Sequence, residues 1–194
     1  MTKFQKISEN FLIFGDYLHS EPFGNGHIND TFISIYNQAG HRLTYIFQRI
    51  NTKVFKNPDE LMENISRVTN HLRKKYSNRR DSSRRALTIV PTKNGKGYFK
   101  DSEGKCWRSY LFIERALCYD ILETPEQAYK AAKAFAEFQH QLSDLPEPRL
   151  HETIPNFHNT PMRMEAFDEA LRKDARHRAG GIQDEINFVN KLRP

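Results

Sequence analysis

Apolar and polar residues alternate through the first third of the chain, and this alternation predicts a small antiparallel sheet. Apolar residues at near-helical spacing over 3–14 predict a short helix ahead of it. Six stretches rich in β-branched and aromatic residues then predict strands, at 16–23, 31–36, 43–50, 86–91, 97–99 and 106–114. Because the last stretch is almost continuously apolar, we expect that strand to be covered on both faces.

Helical periodicity appears once after the third strand and dominates from Thr124 onward. Asn57-Pro58 supplies an N-cap and a proline at the first helical position, and one apolar face follows it, formed by Leu61, Ile65, Val68 and Leu72. A capping box at 124–127 starts a second helix, Thr160-Pro161 starts a third, and 182–191 predicts a last short one. The pattern therefore predicts an α+β fold with a sheet-rich lobe over 1–118 and a helical lobe over 119–194.

The composition and the N-terminal residues indicate the cellular compartment. No apolar run approaches the roughly 20 residues that span a bilayer, and the N-terminus lacks the apolar core of a signal peptide. The two cysteines form no C-x-x-C pair. We therefore expect a soluble, cytoplasmic protein with no membrane partner.

The positive charge is concentrated in one short segment. The formal net charge is +6, and seven basic residues and one acidic residue, Asp81, lie between Arg73 and Arg85. A nucleic-acid-binding face usually spreads or repeats its cations. We interpret the cluster as a solvated helix end and the loop after it, and we keep nucleic-acid binding only as an unlikely alternative.

The stretch 22–32 carries the first candidate chemistry. Gly24 and Gly26 lie one residue apart between two predicted strands. Such a turn can fold over nucleotide phosphates, as in protein kinases, because glycine lets backbone amides approach a ligand closely. The turn is equally typical of an ordinary hairpin, for which Asn-Gly is the usual signal.

A kinase-like lobe would also need a basic residue on the third strand and an acid on the following helix. Gln48 stands where a lysine would be expected, and the adjacent Arg49 should point to the other face of the sheet. Glu60 or Glu63 could be the partner acid, although both are equally compatible with a solvent-facing helix surface. Glu114 ends the last strand, either at a nucleotide base or simply where the strand leaves the core.

Several longer stretches are similar to one protein family in sequence and occur in the same order. Two of them read Gly-Asn-Gly-His-Ile-Asn-Asp-Thr and Trp-Arg-Ser-Tyr-Leu-Phe-Ile-Glu, and the full set covers 24–31, 45–52, 61–64, 89–92, 107–114, 135–139 and 152–161. On these stretches the chain resembles bacterial N-acetylhexosamine 1-kinases, within the aminoglycoside phosphotransferase and choline kinase superfamily. The resemblance implies a protein-kinase-like fold, an antiparallel nucleotide-binding lobe with one long helix, and the first helices of an incomplete helical lobe.

The resemblance also implies which residues meet ATP. The phosphate-covering loop, the substitute for the strand lysine and the backbone segment facing adenine would comprise Gly24, Asn25, Gly26, His27, Asn29, Thr31, Gln48, Phe112, Ile113 and Glu114. The acceptor would be an N-acetylhexosamine or a related small sugar, with Mg²⁺ as the accompanying ion.

One departure from the family pattern limits the expected activity. No aspartate of this sequence follows a His-x pair or begins Asp-x-Asp, and His158-Asn159 is followed by Thr160. Because phosphoryl transfer depends on a positioned base and on metal-stabilised charge, we expect negligible kinase activity from these residues alone. We assign no catalytic or metal-binding residue within the chain and expect those groups to lie outside it.

These observations lead to two hypotheses for the function of the chain. The first is the N-terminal portion of an ATP-dependent sugar kinase, and the alternative is a non-catalytic, truncated, pseudokinase-like binding module. The later helices carry apolar stripes that include Phe135, Phe138, Phe167, Leu171 and Ile186. We therefore expect association, or a partner chain that supplies the missing part of the helical lobe.

Overall fold

One antiparallel sheet of six strands organises the first part of the chain. The computed structural model describes residues 2–116 and 119–193. The strands are β1 (Asp16–Pro22), β2 (Asp30–Gln38), β3 (His41–Ile50), β4 (Ile89–Val90), β5 (Phe99–Lys100) and β6 (Cys106–Leu111). Their order is β1-β2-β3-β6-β4, with β5 also paired to β6. The predicted α+β class and antiparallel sheet are confirmed.

The two faces of the sheet bury different clusters. One face holds Phe11, Phe47 and Trp107, and helix α1 (Lys3–Ser8) packs on it through Phe4, whose ring centroid lies 5.3 Å from that of Phe47. The other face buries Ile50 and Cys106 against helix α2 (Pro58–Lys75). The central strands are therefore covered on both sides around these residues, as the apolar character of β6 predicts.

The first helix is shorter than its sequence pattern predicts. It ends at Ser8, where the Asn10 side chain donates to the carbonyl of Lys6 at 2.7 Å. Phe11 then forms a bridge with Thr92, and the amide of Leu12 donates to the carbonyl of Pro91 at 2.9 Å. The helix stops because the backbone after it is hydrogen-bonded to this neighbouring segment instead.

Helix α2 starts as predicted, and of its predicted apolar face Leu61 and Leu72 are buried while Ile65 and Val68 are half-buried. The Asn57 side chain accepts from the amides of Asp59 and Glu60, and Leu61, Met62, Thr69 and Leu72 are buried. Its polar side is tied to the segment 141–151. Asn64 makes two hydrogen bonds to the backbone of His151, at 2.8 and 2.9 Å, and Lys75 donates to the carbonyl of Gln141 at 2.7 Å. This long helix is thus held on its polar side as well as on its apolar one.

A short helix, α3 (Ser82–Arg85), precedes β4, and helix α4 (Pro125–Leu142) follows the sheet. The predicted capping box of α4 is present, with Thr124 accepting from the amide of Gln127 and the Gln127 side chain accepting from the amide of Thr124. Phe135 and Phe138 on α4 are 69% and 44% exposed. These two members of the predicted apolar stripe therefore have most or much of their surface in contact with solvent.

Two compact units divide the chain, Met1–Thr153 and Ile154–Pro194. Helix α4 belongs to the first unit, whereas the composition pattern predicts a boundary at 118/119, whose neighbours Leu117 and Cys118 lie outside the described residues. The second unit contains α5 (Thr160–Lys173), a 3₁₀ turn (Ala179–Gly181) and α6 (Gln183–Lys191).

The second unit has its own internal contacts. Asn159 caps α5 by accepting from the amide of Met162, and Arg193 pairs with Asp168. Ile186 is buried, unlike the exposed phenylalanines of α4. None of the helices in the described part of the chain combines the length and the apolar character needed to cross a bilayer.

Candidate functional site

The glycine turn lies between β1 and β2 and is open to solvent. The amide of Phe23 donates to the carbonyl of Thr31 at 2.9 Å and closes the base of the turn. Gly24 has φ +78°, a value that favours glycine, and a Cβ built at Gly24 or Gly26 would meet nothing within 4 Å. The turn therefore leaves room above its backbone for a ligand.

The far side of the turn is fixed to the end of β3. The Asn29 side chain accepts from the amide of Asn51 at 2.9 Å, and Asp30 pairs with Arg49, whose Nε lies 2.6 Å from Oδ2. Asn29 is thus a structural support as well as a predicted ligand contact. His27 lies at the exposed tip of the turn.

Three polar side chains form a line across the sheet just behind the turn. The strand register pairs Thr31 with Gln48 and Gln48 with Arg108. Gln48 Nε2 donates to Thr31 Oγ1 at 3.0 Å, and Arg108 donates to Gln48 Oε1 from Nε at 3.0 Å and from a terminal nitrogen at 2.8 Å. The sheet therefore holds the Arg108 guanidinium beside the position predicted for a lysine.

The electrostatics of this line are those of a poorly solvated cation. Burial lowers the pKa of the Arg108 guanidinium, and the Tyr110 hydroxyl is the one group that opposes this shift. No carboxylate in the described part of the chain is paired with Arg108 or Gln48. Of the two helix acids predicted as partners for β3, Glu63 lies 3.0 Å from the Nε2 atom of His151 instead.

The segment after β6 comes close to the glycine turn. The rings of Phe23 and Phe112 make an edge-to-face contact with centroids 5.7 Å apart, and Asn25 Nδ2 lies 3.4 Å from Asp120 Oδ2. The predicted loop and the predicted base-facing segment are therefore neighbours in the first unit. This proximity joins residues that are about ninety positions apart in sequence.

The backbone of 112–114 is partly engaged within the chain. The amide of Phe112 donates to the carbonyl of Thr44 at 3.0 Å, and the carbonyl of Glu114 accepts from Arg84. Among the three predicted positions, Ile113 is half-buried and Glu114 is exposed. The backbone groups of Ile113 and the amide of Glu114 are thus the best placed to meet a ligand.

The basic cluster is largely committed to contacts inside the chain. Lys75 pairs with Asp144, while Arg85 and Arg79 both pair with Asp81. Hydrogen bonds from Arg85 and Arg79 lower the pKa of Asp81 to about 2. These contacts are typical of a helix end and the loop after it, which is how the sequence pattern is interpreted.

The described residues give little support for a metal site or for a nucleophilic cysteine. These residues contain no group of three or more His, Cys, Asp or Glu side chains placed to hold a metal ion. Burial raises the pKa of the Cys106 thiol, which therefore lacks the thiolate character of a nucleophile. No protein-family model matches the chain.

Sequence reasoning predicts the turn, Gln48 and Phe112–Glu114 as site residues, but it does not single out Arg108, Phe23 or Asp120. Arg108 lies opposite Gln48 only because β6 pairs with β3, and that register joins strands about sixty residues apart. The available signal is Arg108 itself, a charged residue within the largely apolar strand Cys106–Leu111. A charged residue in the middle of an apolar strand is uncommon, and it often marks a functional contact.

Proposed function

We propose that the chain binds ATP between the glycine turn, the Thr31–Gln48–Arg108 line and the segment after β6. The observation that carries the proposal is the packing of Phe23 against Phe112, at 5.7 Å between ring centroids. It places the mouth of a glycine turn beside the backbone that would meet adenine.

The residues present fit a nucleotide in two respects. An open glycine turn gives phosphates access to backbone amides, because no atom lies within 4 Å of a Cβ built at Gly24 or Gly26. Arg108, on the sheet behind the turn, supplies positive charge that no neighbouring carboxylate in the described residues offsets. The described residues contain no group of three or more His, Cys, Asp or Glu side chains that could hold Mg²⁺.

The wider role we propose is that of the nucleotide-binding part of a small-molecule kinase with a protein-kinase-like fold. The shared stretches with N-acetylhexosamine 1-kinases support an amino sugar as the acceptor. The catalytic aspartate and the metal ligands of such an enzyme would come from outside these residues. The alternative, a non-catalytic binding module, has the same ATP site and differs only in lacking phosphoryl transfer.

Thermal unfolding with and without ATP tests the binding proposal. Trp107 is the only tryptophan and is buried in the sheet, so its fluorescence reports on the first unit. A ligand that binds only the folded state at about a hundredfold excess over its Kd stabilises by about 2.7 kcal/mol. We expect millimolar ATP to raise the melting temperature, and no rise at that concentration would argue against the proposal.

A glycine variant makes this test specific to the turn. Gly26→Ala should leave the melting temperature of the free chain nearly unchanged, because Gly26 has no positive φ and open space around it. The added methyl group would obstruct phosphates, so the ATP-dependent rise should shrink. Gly180→Ala is the matched control, since Gly180 also has open space and no positive φ. An equal loss in both variants would contradict a role for the turn.

A further inference from the structure

Arg108 is a cation at a position where burial makes its positive charge energetically unfavourable. It is half-buried on β6, a strand paired with β3, β4 and β5, and it shares its face of the strand with Cys106, which is buried. Removing a charge from water is unfavourable unless a partner of opposite charge compensates it. Within the described residues the partner is the neutral amide of Gln48.

The guanidinium is held in a defined orientation. Its Nε and one terminal nitrogen both donate to Gln48 Oε1, and Gln48 is held in turn by its bond to Thr31. The other terminal nitrogen has no partner among the described residues. Because a guanidinium presents its donors in a rigid fork, fixing two of them also fixes where the third points.

The neighbouring arginine on β3 does not share these properties. Arg49 occupies the opposite face of the sheet from Gln48, as alternation along a strand requires. It is neutralised by Asp30 at the end of the glycine turn. Arg108, unlike Arg49, has no carboxylate partner among the described residues and remains available to an anion.

We propose that Arg108 is the phosphate-binding cation of this site, in place of a lysine on β3, and that Gln48 is the residue that positions it. The ligand class is the di- or triphosphate group of a nucleotide. The inference rests on the proposed function for the identity of the nucleotide. The polyphosphate contact itself can be tested with pyrophosphate alone.

The role of Gln48 follows from its chemistry. A carboxylate at that position would form an ion pair with Arg108 and would compete with a phosphate for the same donors. An amide orients the guanidinium without neutralising it. The glutamine therefore leaves the positive charge for the ligand, and this accounts for an amide at a place where a lysine is expected.

Two variants of the full chain test the proposal by titration calorimetry with ATP and with pyrophosphate. Arg108→Gln should weaken ATP binding by at least about thirtyfold, the lower range for removing one partner of a desolvated charge pair. Gln48→Glu should also weaken ATP binding, and this variant should still fold because its carboxylate can pair with the half-buried guanidinium. Arg42→Gln removes an exposed arginine on β3, the strand of Gln48, and this control should bind as the wild type does.

The outcomes separate this inference from the proposed function. If the wild type binds ATP and both variants bind it equally well, Arg108 does not bind phosphate, and the ATP site stands without it. If the wild type binds pyrophosphate through Arg108 but shows no added affinity for ATP, the cation site stands and the nucleotide proposal fails. If the wild type binds neither probe, both are overturned.

Unfolding of the free variants separates binding from structure. Gln48→Glu should be at least as stable as the wild type without ligand, since it replaces an amide partner by an ion pair. A purely structural Arg108 would gain stability in the same variant with no loss of affinity for pyrophosphate. That result would also contradict the proposal.

Discussion

Asp101 shows how a single polar residue supports the buried sheet. Its Oδ2 accepts from the indole nitrogen of Trp107 at 2.9 Å, and its Oδ1 accepts from the amides of Glu103 and Lys105. Burial alone would raise the pKa of Asp101, but together these three hydrogen bonds hold that pKa below its usual range. The carboxylate therefore links the turn before β6 to the aromatic core.

The depressed pKa of Asp101 predicts acid sensitivity of the first unit. An unfolded aspartate titrates near pH 3.9, and the folded group titrates lower, so its stabilising effect is present above about pH 4. That effect is lost as the pH falls from about 4 through the folded pKa. Asp101→Asn should remove this part of the pH dependence because an amide does not titrate. Its oxygen can still accept from Trp107, so the hydrogen bond to the core is kept.

The measurement is urea unfolding followed by Trp107 fluorescence between about pH 4 and pH 2. The free energy of unfolding of the wild type should fall more steeply with decreasing pH than that of Asp101→Asn. Asp184→Asn, on α6 in the second unit, controls for the loss of a carboxylate elsewhere. Parallel profiles for the wild type and Asp101→Asn would rule out this role.

At the scale of elements, α2 makes packing contacts on one side and hydrogen bonds on the other. Its apolar side covers β3 and β6, and its polar side is bonded to the segment that follows α4. Asn64 provides the central link because it both donates to the carbonyl and accepts from the amide of His151. The helix that borders the candidate site is thus fixed to a segment far along the chain.

Asn64→Ala should destabilise the first unit by about 2 kcal/mol, since each of two hydrogen bonds contributes roughly 1 kcal/mol. Alanine has the higher helix propensity, so a loss of stability cannot come from the helix itself. Asn70→Ala is the matched control on the same helix, at an exposed position. Equal unfolding midpoints in urea for the two variants would show that the link to His151 contributes no stability.

The elements differ in how well the sequence predicts them, and the reason is the range of their contacts. The start of α2 is predicted correctly because Asn57, Pro58 and the apolar period all lie within a few turns of one another. Strands β4 and β5 are only two residues long, shorter than their patterns predict. Their lengths depend on how far β6 offers a partner, which is not encoded locally.

At the scale of the whole molecule, the candidate site is an assembly of distant segments. The glycine turn, Gln48 and Phe112–Glu114 can be named from the sequence because each has a local pattern or matches the kinase family that the sequence resembles. The alignment of Arg108 with Gln48 depends on a pairing between strands about sixty residues apart. The contact of Phe23 with Phe112 also depends on the long-range strand order. Neither this contact nor the alignment of Arg108 with Gln48 could be predicted from the sequence.

Hydrogen–deuterium exchange with and without ATP tests the central claim most directly. We expect ATP to slow exchange at the amides of 24–29 and 112–114, because these backbone groups would meet phosphates and base. The hairpin turn at Ala39-Gly40, at the other end of β2, is the internal control and should exchange at the same rate in both states. Unchanged exchange at both predicted segments under saturating ATP, or protection at the control turn alone, would contradict the account.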